Sequence, residues 1–74
     1  MKRFELLPID GRASFGGKCY VEERGTKATL YSYQSKIATY DTATKTLRKY
    51  KDWDFGQTTK RHQRAFLAFY GINA

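Results

Sequence analysis

Few residues in this chain could carry chemistry, and their spacing limits what that chemistry is. Catalysis needs a positioned base or nucleophile with a partner. The chain has one histidine, His62, and one cysteine, Cys19. His62 shares a helical face with Phe66 and Phe69, which reads as a buried histidine bonded to backbone or to a tyrosine. Cys19 sits in a strand-forming run between Lys18 and Tyr20, the usual setting of a buried structural thiol. A Cys19–His62 dyad is not required by any spacing. Two Cys/His residues fall short of the four ligands of a structural zinc site. Asp52 and Asp54 alternate but lack the further oxygen ligands of a calcium loop. Gly16-Gly17-Lys18 precedes a strand instead of following one and lacks the spacing of a phosphate loop. The chain is therefore expected to be no enzyme and to hold neither metal nor cofactor.

What remains is charge interleaved with rings. Lys45, Arg48, Lys49 and Lys51 cluster around one strand, beside Tyr50 and Trp53. Along that strand Arg48 and Tyr50 share one face, Leu47 and Lys49 the other. Lys60, Arg61 and Arg64 follow on a helix, and with the first group they are expected to form one basic surface beside the helix N-terminus. Cations with adjacent rings suit a phosphate backbone and exposed bases. The net charge of +7 supports this by its distribution. Residues 1–25 hold five Lys/Arg against four Asp/Glu, and residues 26–74 hold nine against three. Such asymmetry favours a polyanionic partner, while its plainer reading is a solvated surface that keeps a small protein in solution.

The elements that must position these residues follow from length and punctuation. Seventy-four residues make a single domain, 1–74. Twelve Phe, Tyr and Trp residues give a small core large buried areas and argue against a disordered basic tail. Residues 1–17 read as an irregular N-terminal segment, broken by Pro8, Asp10-Gly11 and Gly16-Gly17, with at most a short strand near Phe4–Leu7. Residues 18–50 read as sheet. Lys18–Glu23 and Lys27–Tyr33 form a hairpin about Arg24-Gly25-Thr26. Gln34-Ser35 marks a bend or bulge before Lys36–Tyr40. Asp41–Thr44 is a turn in which Asp41 bonds backbone two residues on, and Lys45–Tyr50 is the next strand. A connector with Trp53 and Phe55 folds its rings under the sheet.

Residues 58–70 read as a helix with Thr58 or Thr59 as N-cap, Gly71 as left-handed C-cap and Ile72 in the usual hydrophobic contact. Its apolar face carries His62, Ala65, Phe66 and Phe69. The expected fold is α+β, a three- to four-stranded antiparallel meander packed by one C-terminal helix. No apolar run reaches the length of a membrane span. A lone thiol without a secretory pattern fits the cytoplasm, which for a phage-encoded chain is that of the host cell.

Three segments, Gly17-Lys18-Cys19-Tyr20-Val21, Leu30-Tyr31-Ser32-Tyr33-Gln34-Ser35-Lys36-Ile37-Ala38 and Thr58-Thr59-Lys60-Arg61-His62-Gln63-Arg64-Ala65-Phe66-Leu67, occur in this order. Together they resemble a family of short uncharacterised proteins of phages, plasmids and gut-associated bacteria, over roughly residues 16–70. That family shows a Gly-Lys strand, a Ser-Tyr-x-Thr-x-Val/Ile-Ala segment and a Thr-Thr-x-Arg-His helix ending in Phe-Leu. This chain departs from it at Ser35, where threonine is usual, and at Phe55-Gly56-Gln57. The resemblance implies a mobile-element origin and brings no activity with it.

The leading expectation is a small basic accessory module contacting nucleic acid through Lys45, Arg48, Lys49, Lys51, Lys60, Arg61 and Arg64, mainly by electrostatics. The alternative is a stoichiometric inhibitor of a host defence complex, anti-CRISPR-like, acting by protein contact. A homodimer held by surface aromatics or sheet edges is a third expectation.

Overall fold

The computed structural model describes residues 2–9, 15–53 and 56–72. Five strands, β1 (Lys2–Glu5), β2 (Cys19–Arg24), β3 (Lys27–Ser32), β4 (Ser35–Asp41) and β5 (Thr46–Lys49), precede one helix, α1 (Gln57–Tyr70). The strands pair in sequence order as an antiparallel meander, β1-β2-β3-β4-β5. The α+β class is as expected, but the sheet has five strands, not three or four. The additional strand is β1, inside the segment expected to be irregular and two residues before the short strand anticipated at Phe4–Leu7. It pairs with β2 through Lys2↔Glu23, Arg3↔Glu22, Phe4↔Val21 and Glu5↔Tyr20. Three of its four residues are charged, so no apolar alternation announces it.

The alternation of the other strands sets two faces. Cys19 and Val21 of β2, Ala28, Leu30 and Ser32 of β3, and Ile37, Ala38 and Tyr40 of β4 are all buried. The register between β3 and β4 shifts after Leu30, so that Leu30 pairs with Ala38 and Tyr31 with Lys36. The bulge leaves Ile37 as the extra residue and lets two successive side chains, Ile37 and Ala38, enter the core. The helix covers this face with Thr59, His62, Ala65 and Phe66. Burying side chains such as Leu30, Ile37 and Phe66 stabilises a small domain by about 1.5–3 kcal/mol each. Trp53 packs against this core, as expected; Phe55, like Asp54, lies outside the described residues, and so do Asp10 and Gly11.

The helix ends as its sequence predicts. Gly71 adopts φ 64°, and its N–H bonds the Ala68 carbonyl at 3.3 Å while the Ile72 N–H reaches Leu67 at 2.8 Å. This is a complete Schellman motif, with Ile72 packed on the core. The start differs from expectation. The N-cap is the extended Gly56, whose carbonyl accepts the Lys60 N–H at 3.0 Å, and no side chain caps the first turn. Thr59 lies inside the helix and is buried, so its hydroxyl is not at the terminus. Phe69 is also a correction, since it is exposed at the rim of the helical face, against Phe4 at 5.3 Å. The Asp41 turn is as read, with Oδ1 accepting the Ala43 N–H at 2.9 Å.

Candidate functional site

Strand pairing decides which side chains share the sheet face that α1 does not cover. Odd residues of β1 and β3, even residues of β2 and their partners lie there, because directly opposed residues point the same way. Tyr20 opposes Tyr31 and Glu22 opposes Thr29. Thr29 opposes Thr39, and Tyr31 opposes Lys36. Arg48 opposes Thr39. Lys27 opposes Asp41, which opposes Thr46, so the open face carries three tyrosines, three threonines and a set of long cations, with Glu22 and Asp41 among them.

Two constructions stand on it. Near β1, the rings of Tyr20 and Tyr31 are parallel, with centroids 4.9 Å apart and planes 7° from one another. The Arg3 guanidinium lies 4.0 Å from the Tyr20 ring and reaches Glu22 at 3.9 Å. Burial, followed by the charge and hydrogen bond of Glu22, raises the Tyr31 pKa, so its phenol stays a donor at neutral pH. Near β5, Tyr50 has two cations over its ring, Lys36 at 5.8 Å and Arg48 at 5.5 Å. Its hydroxyl continues a chain from Thr29 Oγ1 to Thr39 Oγ1 at 3.2 Å and on to Tyr50 at 3.0 Å. A shallow groove of about 420 Å³ runs over these hydroxyls, edged by Lys27, Lys36 and Arg48. Asp41 at its end spends its carboxylate on the backbone N–H groups of Ala43 and Thr44, which hold its pKa below the ordinary value.

The residues expected to form one basic surface are divided between the two sides of the sheet. Arg48 is on the open face. Lys49, one residue on, opposes the buried Ala38 on the helix side and lies 5.3 Å over the Trp53 ring. Lys60, Arg61 and Arg64 belong to α1, which packs on that same side. Lys45 is in the β4–β5 turn with φ 57°, not in a strand, and Lys51 is exposed in the turn after β5. The open-face residues Arg3, Tyr20, Lys27, Tyr31 and Lys36 were not among those singled out by charge clustering. Their signal was strand alternation, since Tyr20, Glu22 and Arg24 recur at every second position, as do Lys27, Thr29 and Tyr31.

On the covered face, Cys19, Ser32 and His62 are neighbours. Cys19 opposes Ser32 across β2 and β3, and Ser32 Oγ lies 2.7 Å from His62 Nδ1. The partner of the buried histidine is thus a serine, not the expected backbone group or tyrosine. His62 Nε2 is buried with no hydrogen bond, and the ring packs edge-on to Phe15 at 4.5 Å. Burial lowers the His62 pKa. Burial, with the nearby Glu5 charge, pushes the Cys19 thiol up to about 12. The cysteine is therefore a thiol at neutral pH, a poor nucleophile. Among the described residues no group of three or more His, Cys, Asp or Glu side chains is placed to hold a metal ion. No helix there is long and apolar enough to cross a membrane.

No curated protein and no solved structure matches this chain. A family model does match, over residues 4–74, which takes in β2 to β5, the helix and the last two residues of β1. The chain belongs to that family, described as a family of unknown function, DUF8033.

Proposed function

We propose that this chain is a small basic binding module that holds single-stranded nucleic acid across its open sheet face, mainly by electrostatics and stacking. The observation that carries the reading is the Tyr50 groove. One ring has two cations 5.8 and 5.5 Å from its centre, beside a floor of hydroxyls, on the sheet face that α1 does not cover. Cations at its edge can meet phosphates, and ring faces can meet bases of any sequence. The Tyr20–Tyr31 pair with Arg3 supplies a second ring platform on the same face. The resemblance to phage and plasmid proteins suggests an accessory role for a mobile element.

Anisotropy with labelled single-stranded DNA, duplex DNA and RNA at about 50 and 200 mM salt tests this, since phosphate contacts declare themselves over that range. Single strands are expected to bind more tightly than duplex, with affinity falling as salt rises. Absence of binding to all three at the lower salt sinks the reading. A second reading, inhibition of a host defence complex by protein contact, draws on the same face, because its exposed arginines and half-buried tyrosines are residue types also enriched at protein interfaces. It takes first place if a host complex is captured in a form that survives both nuclease and high salt, and nucleic acid is not bound.

A further inference from the structure

We infer that β1 is a dimerisation edge, and that two copies of this chain pair there antiparallel about a two-fold axis at Phe4. The inference goes beyond the proposed function and does not depend on it.

The two edges of the sheet are β1 and β5. The β5 edge guards itself: Arg48 and Lys49 lie in the strand, and Lys45 and Lys51 flank it, all exposed cations that repel a second copy. The β1 edge carries both signs, with Glu5 following Lys2 and Arg3. Beside it are three exposed apolar side chains, Leu7 (59% exposed), Ile9 (60%) and Phe69 (58%). With Glu5 and Ala68, they line one apolar groove of about 310 Å³ between β1 and α1. Of the exposed large hydrophobic residues described, Tyr33 alone lies elsewhere.

The backbone sets which groups face outward. The Leu6 N–H donates to the Cys19 carbonyl at 3.0 Å. By antiparallel alternation Lys2, Phe4 and Leu6 therefore direct their backbone groups at β2, and Arg3 and Glu5 direct theirs away from the sheet.

A two-fold axis perpendicular to the sheet keeps each side chain on its own face, so it permits only registers that pair odd with odd and even with even. Centred on Arg3, the strand sets arginine against arginine. Centred on Glu5, it sets glutamate against glutamate. Centred on Phe4, it sets Arg3 against Glu5 of the second copy, twice, on the open face. The outward N–H and C=O groups of these same residues then meet as hydrogen-bonded pairs. The Phe4 side chains meet at the close, non-hydrogen-bonded position, with Phe69 packed behind each. Charge complementarity thus selects one register and one occupant, a second copy. The product is a ten-stranded sheet with both helices on one side and both open faces joined on the other.

Sedimentation of the wild-type chain without nucleic acid, at micromolar and near-millimolar concentration, reads the assembly directly. The mass should rise from 8.6 kDa towards twice that value. Glu5→Arg sets arginine against arginine and should weaken the dimer by roughly tenfold or more, as like charges directly opposed destabilise a strand pair. Leu7→Lys should weaken it by adding a cation to the edge. Circular dichroism checks that both variants keep the fold.

Phe4→Cys should cross-link to a dimer in oxidised glutathione, its two thiols being oxidised as the glutathione disulfide is reduced. Glu5→Cys should not, because its opposite residue is Arg3. A constant monomer mass for the wild type overturns the inference. So does a dimer indifferent to both edge substitutions, and cross-linking of Glu5→Cys as fast as Phe4→Cys overturns the register.

Discussion

Removing Lys36 and Arg48 together should do more to the salt dependence of nucleic-acid binding than to anything else the protein does. Both are exposed, both stand over Tyr50, and with Lys27 they edge the open-face groove. Three cations meeting three phosphates of a single strand give a log–log salt slope of about −0.7 per contact, or roughly −2.1 in total. A fourfold rise in salt should then weaken binding by about 20-fold. In the Lys36→Ala, Arg48→Ala variant one contact remains, the slope falls to about −0.7, and the same rise costs only about threefold. The assay is anisotropy of a labelled oligothymidine across several salt concentrations. Arg61→Ala with Arg64→Ala removes as much charge from the helix, on the other side of the sheet, and should leave the slope nearly unchanged. A steep slope surviving in the open-face variant, or lost in the helix variant, refutes the assignment of the interface to the open face.

Three further outcomes follow from the packing. Tyr31→Ala removes one ring of the stacked pair and should lower single-strand affinity by about 1–3 kcal/mol, measured by the same titration at constant salt. His62 is buried with its pKa lowered, so the unfolded chain takes up a proton first as pH falls. Stability should hold above the ordinary histidine pKa near 6.5 and decline below it by at most about 1.4 kcal/mol per pH unit. Urea melts of wild type and His62→Gln between about pH 7.5 and 5.5 check this, a parallel decline in both being the contrary result. Gly71→Ala forces a side chain into φ 64° although no atom of the described residues lies near enough to clash. It should cost about 1–2 kcal/mol by thermal or urea unfolding, all of it backbone strain.

The parts legible in the sequence are those fixed by local chemistry. Gly71 is the residue that a left-handed cap favours, and Asp41 is one that closes a turn on its own backbone, so both stood out from sequence alone. The helical face of His62, Ala65 and Phe66 followed from periodicity, and those three are buried. What escaped depends on neighbours far along the chain. β1 is short and charged, so its start at Lys2, two residues ahead of the strand expected near Phe4–Leu7, shows only in its pairing with β2. The helix starts at Gln57 with the extended Gly56 as its N-cap, ahead of the Thr58 and Thr59 whose side chains favour that position.

Tyr33 read as strand, yet it turns the β3–β4 hairpin at φ 59°, a conformation that disfavours side chains and carries no sequence signal without glycine or asparagine. The candidate interface shows the same division. Alternation placed Arg48 and Lys49 on opposite faces from sequence. Which face the helix covers is settled by Ile37, Ala38 and Tyr40 on the next strand, so grouping the cations by sequence proximity merged two sides of the molecule.

The most direct test of the open-face interface is a nitrogen–proton NMR titration of the labelled protein with a short oligothymidine at low salt. The account predicts shift changes concentrated at Tyr20, Thr29, Tyr31, Lys36, Thr39, Arg48 and Tyr50, with the amides of Lys60, Arg61 and Arg64 little moved. Changes concentrated on the helix, or none on the three open-face tyrosines, contradict it.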